Sequence, residues 1–344
     1  MKPLFKNLVP FYLNSTLPGD FTELIEQHRF DGLDSNDSSG HGFTLITPER
    51  RVIESDGRYL VCYLSQQKKI NPGTAAQLLQ ERLDKLAEQA LELVIPLAPI
   101  NEEDLEVQIR QEMLRYAPIK SERIWLLICP AEHRLYASAT SRSSAERATA
   151  SLRSAIGSLK TYSVDYSADV SDRFTSLIKY PDSVERPAGL RVEYCGQVVC
   201  AGREGERLTT KNIDLDSETA ADILTGLQVR SIELGALQKT GQCVWFQLCI
   251  STDDDFVIKK FNYAEDAGVE LDTQQANEEG DGDELHQYTV EMLIVGRYAA
   301  RTLDVLAEFC GGYRGEDRNG DEIEAEIQPG ADERTRGGSG GQSV

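Results

Sequence analysis

The stretch that decides the fold is residues 228–261, "QVRSIELGALQKTGQCVWFQLCISTDDDFVIKKF". It holds three runs rich in β-branched, aromatic and other apolar residues, separated by the polar segments "KTGQ" and "STDDD". Connections this short are typical of neighbouring antiparallel strands, because a parallel crossover needs about a dozen residues or more. The stretch therefore predicts a three-stranded antiparallel meander.

Upstream of the meander, strand-like sequence is interrupted by helical periodicity. Apolar residues recur at three- and four-residue steps from Pro72 onward, and Asn101 with Asp104 resembles a capping box that begins a second helix. Two strand candidates follow, "RIWLLIC" and "HRLYASAT", with a turn at "PAE" between them. We expect the next helix to be capped by Ser143, three residues before Glu146, and we interpret residues 161–187 as irregular.

These patterns predict an α+β fold of antiparallel sheets with a helical excursion. We divide the chain into four parts: a central α+β domain of residues 1–71 and 123–165, a helical tip with a finger loop at 72–122, a base α+β domain at 166–312, and an acidic flexible tail at 313–344.

Composition excludes several classes of protein. Hydrophobic residues make up 40% of the 344 residues, a fraction typical of a globular protein. The sequence has no run of eighteen or more apolar residues, the length that a transmembrane helix needs. The sequence has seven cysteines, an odd number, and no C-x-x-C motif, which indicates reduced thiols in a cytoplasmic protein. No Walker A, G-x-G-x-x-G or H-E-x-x-H motif occurs, so we expect neither a cofactor nor a metal, and the sequence offers no positive sign of an enzyme.

Charge is distributed unevenly along this acidic chain, whose formal net charge is −21. Residues 110–160 hold 9 Lys and Arg against 4 Asp and Glu, whereas residues 161–344 hold 17 against 36. Because salt screens charges beyond about 8–10 Å, the local field decides which partners bind. The basic residues are densest in "LRYAPIKSERIW" (114–125), which is either a contact for a polyanion or an ordinary solvated segment.

The order of features resembles the RdgC family of recombination-associated DNA-binding proteins. The resemblance rests on five stretches in collinear order: "FKNL" (5–8), "KKINPGTAAQLLQERLDKLAEQ" (68–89), "LRYAPIKSERIWLLI" (114–128), "SAERATASLRSAIGSL" (144–159) and "DLDSETAADILTGLQVRSIELGALQKTGQCVWFQL" (214–248). It spans roughly residues 4–310.

The resemblance implies a non-enzymatic, cytoplasmic, nucleoid-associated protein. Its horseshoe-shaped subunits would pair into a closed ring-shaped homodimer that encircles double-stranded DNA without sequence preference. By occupying DNA, such a ring would limit the access of the recombinase RecA, and RecA itself is a possible partner. A ring that is acidic outside and basic inside would reconcile the net charge with DNA binding.

This chain departs from the family pattern at the finger. Where the family has a Pro-Arg-Ala-Phe-like tip, this sequence reads Arg115, Tyr116, Ala117 and Pro118, so that the tip aromatic is replaced by proline. A segment that is often lysine-rich in the family is apolar and acidic here (91–107), and a basic–polar pair corresponds to Asn212 and Ile213.

The DNA contacts that we expect combine these readings. Lys120 and Arg123 would contact phosphates from the finger, and Lys211 would do so from a later loop; the full set is Lys68, Lys69, Arg115, Tyr116, Lys120, Arg123 and Lys211. If five or six phosphates are neutralised, a plot of the logarithm of the binding constant against the logarithm of the salt concentration should have a slope of about −5. The alternative is an acidic interaction module or DNA mimic that engages a recombination protein through the C-terminal third, where residues 265–344 hold 20 Asp and Glu against 6 Arg and no Lys.

Overall fold

The protein forms two antiparallel sheets that share one core. The computed structural model describes residues 3–93, 101–193, 196–202, 204–211, 226–253, 255–263 and 284–314. The first sheet has the order β2-β4-β5-β6-β1-β7, with β3 on β4, and its strands are β1 (Val9–Leu13), β2 (Ser39–Thr44), β3 (Val52–Ser55), β4 (Arg58–Lys68), β5 (Ile119–Cys129), β6 (Arg134–Ala137) and β7 (Thr161–Ser163).

The second sheet contains the predicted meander. Its order is β10-β9-β11-β12-β13, with β8 on β11, and its strands are β8 (Leu190–Val192), β9 (Val198–Ala201), β10 (Arg207–Thr210), β11 (Gln228–Leu237), β12 (Cys243–Ile250) and β13 (Phe256–Asn262). All pairings in both sheets are antiparallel, which confirms the α+β class.

Six helices are seen in the described part of the chain. They are α1 (Phe21–Gln27), α2 (Pro72–Leu93), α3 (Glu102–Leu114), α4 (Arg142–Ile156), α5 (Val170–Lys179) and α6 (Glu284–Phe309). The predicted short helix after Asp216 and the acidic stretches at 264–283 and 315–344 lie outside the described residues.

Helix boundaries test the sequence predictions closely. The Asn101 side chain accepts a hydrogen bond from the Glu103 N–H, as the capping pattern predicted for α3. The cap predicted for α4 at Ser143 is wrong: Ser141 accepts from the Ser144 N–H, and Ser143 lies inside the first turn. The irregular interpretation of 161–187 is also wrong, because α5 forms there with Asp169 as its cap.

The core joins the two sheets into one body. One cluster lies on a face of the first sheet beneath α1 and α4. The larger cluster lies on the opposite face and extends to the second sheet, α5 and α6, and α6 contacts strands of both sheets. Backbone hydrogen bonds between Leu8 and Ile258, of 2.7 and 3.0 Å, join the sheets directly.

The helices α2 and α3 form an arm, residues 70–117, inserted between two paired strands. Strands β4 and β5 pair from Tyr59 with Ile128 to Lys68 with Ile119. One further hydrogen bond, from the Lys69 N–H to the Pro118 carbonyl at 3.2 Å, closes the ladder where the arm leaves. Leu105 and Ile109 of α3 are buried, and α2 and α3 pack on each other.

Candidate nucleic-acid interface

Two exposed cations of the basic stretch, Arg115 and Lys120, lie where the arm joins the first sheet. Arg115 ends α3 in a helical conformation, and Tyr116 follows it with 90% of its surface exposed. The Tyr116 N–H donates to the Met113 carbonyl at 3.1 Å, so the backbone that carries this ring is fixed. A bulky aromatic held this far out of the core is unusual, which marks it as a candidate contact.

A groove of about 800 Å³ runs between α2 and α3 beside Tyr116. Lys69 and Pro118 form its end at the sheet, and an ion pair between Arg82 and Glu112, with 3.0 Å between nitrogen and oxygen, lies across it. The cation Lys69 is therefore exposed next to the exposed aromatic ring of Tyr116.

Strand β5 starts at Ile119, whereas the sequence predicted a finger loop that extends to residue 122. Lys120 is paired with Gln67 and Arg123 with Leu64, so both cations lie on the strand itself. Side chains alternate between the two faces of a strand, and residues three apart therefore point in opposite directions. The ladder with β4 extends through both positions, so Lys120 and Arg123 lie on opposite faces of a strand instead of in a loop, and their predicted phosphate contacts stay a prediction.

Lys120 lies on the face covered by α4. With His41, Tyr63, Glu122 and Arg147 it lines a polar groove of about 510 Å³. Burial raises the pKa of Tyr63, so its hydroxyl stays a neutral hydrogen-bonding group. We call this the α4-side groove.

Arg147 is a cation of the α4-side groove that sequence reasoning missed. It projects from α4 and donates to Glu122 Oε2 at 2.8 Å and to Ser144 Oγ at 3.0 Å, with 59% of its side chain exposed. In the sequence, Arg147 is marked only by its place in the basic region 110–160. Its position near Lys120 results from the packing of α4 on β5, which the sequence does not show.

Arg123 lies on the opposite face, in line with Trp125. That face carries α6, whose Tyr288 ring lies 5.8 Å from the Trp125 ring. Because Arg123 is three residues from Lys120 on the same strand, its side chain leaves β5 on the face opposite Lys120.

Lys68 is held inside the protein. It is 8% exposed, and its ammonium donates to the carbonyls of Asp34 and Ser35, at 2.7 Å each. These bonds fasten the loop before β2 to the end of β4, so the ammonium is not presented on the surface with Lys69.

Lys211 follows β10 in the second sheet and is exposed. Its positive charge helps to hold the pKa of Glu233 below its ordinary value, although the largest lowering comes from a hydrogen bond with Lys260 and burial acts in the opposite sense. No described contact joins Lys211 to the arm.

Several exposed cations, those at the arm among them, have no ion pair with the described residues, and Arg123 and Lys211 share this property. Among the described residues, no carboxylate is within ion-pairing distance of Lys69, Arg115 or Lys120. By contrast, Arg51, Arg58 and Lys260 are each committed to an ion pair. We name Lys69, Arg115, Tyr116, Lys120 and Arg147 the basic end.

Other chemistry has little support in the part of the chain that is described. Cys62, Cys129, Cys200 and Cys249 are free thiols. Burial raises the pKa of the Cys62 and Cys129 thiols to about 12, which keeps them protonated. No group of three or more His, Cys, Asp and Glu residues in the described ranges is arranged to hold a metal ion. Within the same ranges, no helix has the length and hydropathy of a membrane span.

Comparison with known proteins matches nearly the whole chain. A family model described as "Putative exonuclease, RdgC" matches residues 4–312. Three relatives are each named "Recombination-associated protein RdgC": that of Shewanella loihica is 25% identical over 316 residues (90% of this chain, 98% of the relative), that of Shewanella frigidimarina is 26% identical over 271 residues (76% and 84%), and that of Shewanella baltica is 25% identical over 317 residues (90% and 97%). The match confirms the resemblance found in the sequence, and the chain therefore belongs to the RdgC family.

Proposed function

We propose that this protein binds double-stranded DNA without sequence preference through the basic end. The observation that carries the proposal is a set of exposed cations at the junction of the arm and the first sheet, in a protein of net charge −21. Lys69 lies beside the exposed Tyr116 and Lys120 lies beside Arg147, and Lys69, Arg115 and Lys120 have no ion pair with the described residues. Lysine and arginine side chains on phosphates supply affinity and position but read no sequence. Family membership and the recombination-associated relatives support DNA as the polyanion.

The proposed surface differs from the one first expected. Lys120 lies on the α4 side of the β4–β5 ladder, and Arg147 adds a second cation on that side. Lys69 lies just past the end of β4 and lines the groove between α2 and α3. Lys68 serves the loop before β2 instead, while Arg123 and Lys211 lie apart from this surface. Four cations per protomer would give a salt slope of about −3.6, shallower than the −5 expected from the sequence.

Tyr116 provides the apolar contact of the basic end. Its exposed ring can stack on a sugar or on an opened base step, which any sequence allows because every base has a π-face. It would thus take the place of the aromatic that Pro118 has replaced.

Binding can be measured by fluorescence anisotropy with two duplexes of equal length and unrelated sequence, from 50 to 300 mM salt. We expect equal affinities for both duplexes and a slope of about −3.6 for each bound protomer. Lys69→Ala with Lys120→Ala should weaken binding about tenfold at 50 mM salt, since each phosphate contact contributes roughly 0.5–1 kcal/mol.

Arg123→Ala is the matched control for the double variant. It removes an exposed cation from the same strand but from the opposite face, so binding should change less than twofold. Equal loss in Arg123→Ala and in the double variant would refute the assignment of the surface, and no binding at 50 mM salt would refute the function.

We further propose that the protein acts as a ring-shaped homodimer, is non-enzymatic, and restrains RecA-dependent recombination in the nucleoid of the cytoplasm. Light scattering should give twice the 38.2 kDa chain mass. A closed ring should be retained on circular duplex but escape from linear duplex with free ends. A monomeric mass would contradict the dimer.

Binding should slow RecA strand exchange. If the protein is non-enzymatic, duplex should survive incubation with Mg²⁺ or Mn²⁺, and degraded duplex would contradict that proposal.

A second candidate function is supported by the acidic C-terminal third. Residues 265–344 carry 20 Asp and Glu against 6 Arg and no Lys, a density that could imitate phosphates for a basic recombination protein. In that case, when this protein is immobilised on a resin in buffer without DNA, it should retain a basic DNA-binding protein, and salt should release that partner. Retention that is unchanged after neutralising acids in this span would exclude it.

A further inference from the structure

We propose that uncharged polar side chains of the α4-side groove hold one sugar–phosphate strand of the bound DNA by hydrogen bonds; they are Ser39, Gln67, Ser151 and Ser154. The inference rests on the proposed function, because it takes DNA as the ligand. It adds to the basic end a part of the binding surface that carries no charge. The affinity that this part supplies should not be screened by salt.

The floor of the groove is built from two rows of side chains that cross three strands. Directly opposed residues of neighbouring antiparallel strands place their side chains on the same face of the sheet. The first row is Ser39, Gln67 and Lys120, and the second row is His41, Ser65 and Glu122. All six residues line the groove, and helix α4 forms its wall with Arg147, Ser151 and Ser154. Rigid elements therefore fix the position of each of these groups.

The four uncharged residues have no hydrogen-bonding role within the described part of the protein. Their side chains form no hydrogen bond with any described residue. The neighbouring Gln66 differs, because it accepts from the Leu33 N–H at 3.1 Å and donates to the Ser121 hydroxyl at 3.0 Å. Gln66 therefore serves the fold, whereas the Gln67 amide is available to a ligand.

The chemistry of the groove suits a sugar–phosphate backbone. Serine hydroxyls and glutamine amides commonly donate to phosphate oxygens of DNA, where they fix position without reading sequence. Lys120 ends the first row and Arg147 lies on the wall, so cations flank the uncharged donors. The rings of the next row, Phe43 and Tyr63, are buried and offer no surface on which a base could stack.

The length of the first row matches the spacing of phosphates on DNA. Neighbouring strands lie about 4.8 Å apart, so the row from Ser39 to Lys120 is about 10 Å long. One strand of duplex DNA advances about 3.4 Å along the helix axis for each phosphate. A backbone that follows the row therefore brings about three phosphates past its three side chains.

The test uses three double variants of the full-length chain. The floor variant is Ser39→Ala with Gln67→Ala, the wall variant is Ser151→Ala with Ser154→Ala, and the control variant is Gln111→Ala with Ser183→Ala. The control residues are exposed and line neither of the two grooves. Alanine is the best helix former, so the wall variant tests the site without weakening α4.

Fluorescence anisotropy from 50 to 300 mM salt separates uncharged from charged contacts. The floor and wall variants should each bind duplex DNA about three- to tenfold more weakly than the control variant at every salt concentration. Their salt slope should stay at about −3.6, because no cation is removed. Lys69→Ala with Lys120→Ala should instead reduce the slope to about −1.8, because two cations are lost.

Two results would overturn the inference. One is an affinity equal to that of the control in either the floor or the wall variant, and the other is a slope that falls as in the lysine variant. Failure of the proposed function would look different. In that case the unmodified protein would not bind duplex DNA, or the lysine variant would bind as tightly as the unmodified protein.

Discussion

Glu122 sets how much positive charge the α4-side groove presents. It is the acid within the basic stretch, and it accepts a hydrogen bond from Arg147 at 2.8 Å. The pair is exposed, so its contribution to stability is small, of order 0.2–1 kcal/mol. Its effect on a polyanion is larger, because the carboxylate both repels phosphates and engages a guanidinium that could bind them.

Glu122→Gln should therefore strengthen DNA binding about two- to fivefold at 50 mM salt, which corresponds to roughly 0.5–1 kcal/mol. The control is Glu146→Gln on α4, whose partner Arg142 lies over the Phe11 ring instead of in the groove. Anisotropy measures both, and a gain of the same size in Glu146→Gln would show that only the net charge matters.

Lys68 and Lys69 look equivalent in sequence and are opposite in structure. Lys68→Ala should destabilise the protein by about 1–3 kcal/mol, since two loop carbonyls lose their donor. Lys69→Ala should stay within about 0.5 kcal/mol, because the side chain is exposed and has no ion pair with any described residue. Urea unfolding midpoints compare the two, and equal midpoints would contradict the assigned roles.

At the scale of elements, periodicity and turns predicted most of the architecture. The meander and the helices α2, α3 and α4 follow from runs of apolar residues with the spacing of strand or helix. The helix α5 was missed although Val170, Phe174 and Ile178 have helical spacing, because its ten residues are surrounded by turn-like sequence. Tertiary packing supplied the rest: no local pattern could place Arg147 beside Lys120 or turn the Lys68 ammonium inward.

The cap of α4 provides a test at this scale. Ser141→Ala should cost about 1 kcal/mol of unfolding free energy, because the Ser144 N–H loses its acceptor. Ser143→Ala, at the position that the sequence pattern favoured, should be nearly neutral since Ser143 is exposed. A larger loss in Ser143→Ala, measured in urea, would contradict the observed cap.

Helix α6 is tied to the N-terminal segment through a buried carboxylate. Glu291 accepts hydrogen bonds from the Leu4 N–H and from the Tyr263 hydroxyl. Burial raises the pKa of Glu291 above its ordinary value of 4.5. The folded protein therefore holds this proton more tightly than the unfolded chain, so the stabilisation is present below pH 4.5 and is lost as pH rises through the folded pKa.

Glu291→Gln removes this titration. We expect the stability of the variant, relative to the unmodified protein, to increase as pH rises above about 4.5. Urea midpoints at several pH values measure the difference, and parallel curves would show that Glu291 does not titrate in this window.

At the scale of the whole molecule, the shared core should make unfolding cooperative. The two tryptophans report separately, since Trp125 lies in the first sheet and Trp245 in the second. Single variants with either Trp replaced by Phe should give coincident fluorescence and circular dichroism transitions, because the larger cluster spans both sheets. Separate transitions would instead favour independent central and base domains, the division predicted from sequence.

The closed ladder at Lys69 and Pro118 has an evolutionary consequence. The chain leaves the sheet and re-enters it at neighbouring points, about 5 Å apart. An insertion whose two ends nearly coincide can lengthen, shorten or exchange its residues without altering the register of the strands that carry it. Selection can therefore change what the arm recognises while the sheet that carries it stays the same.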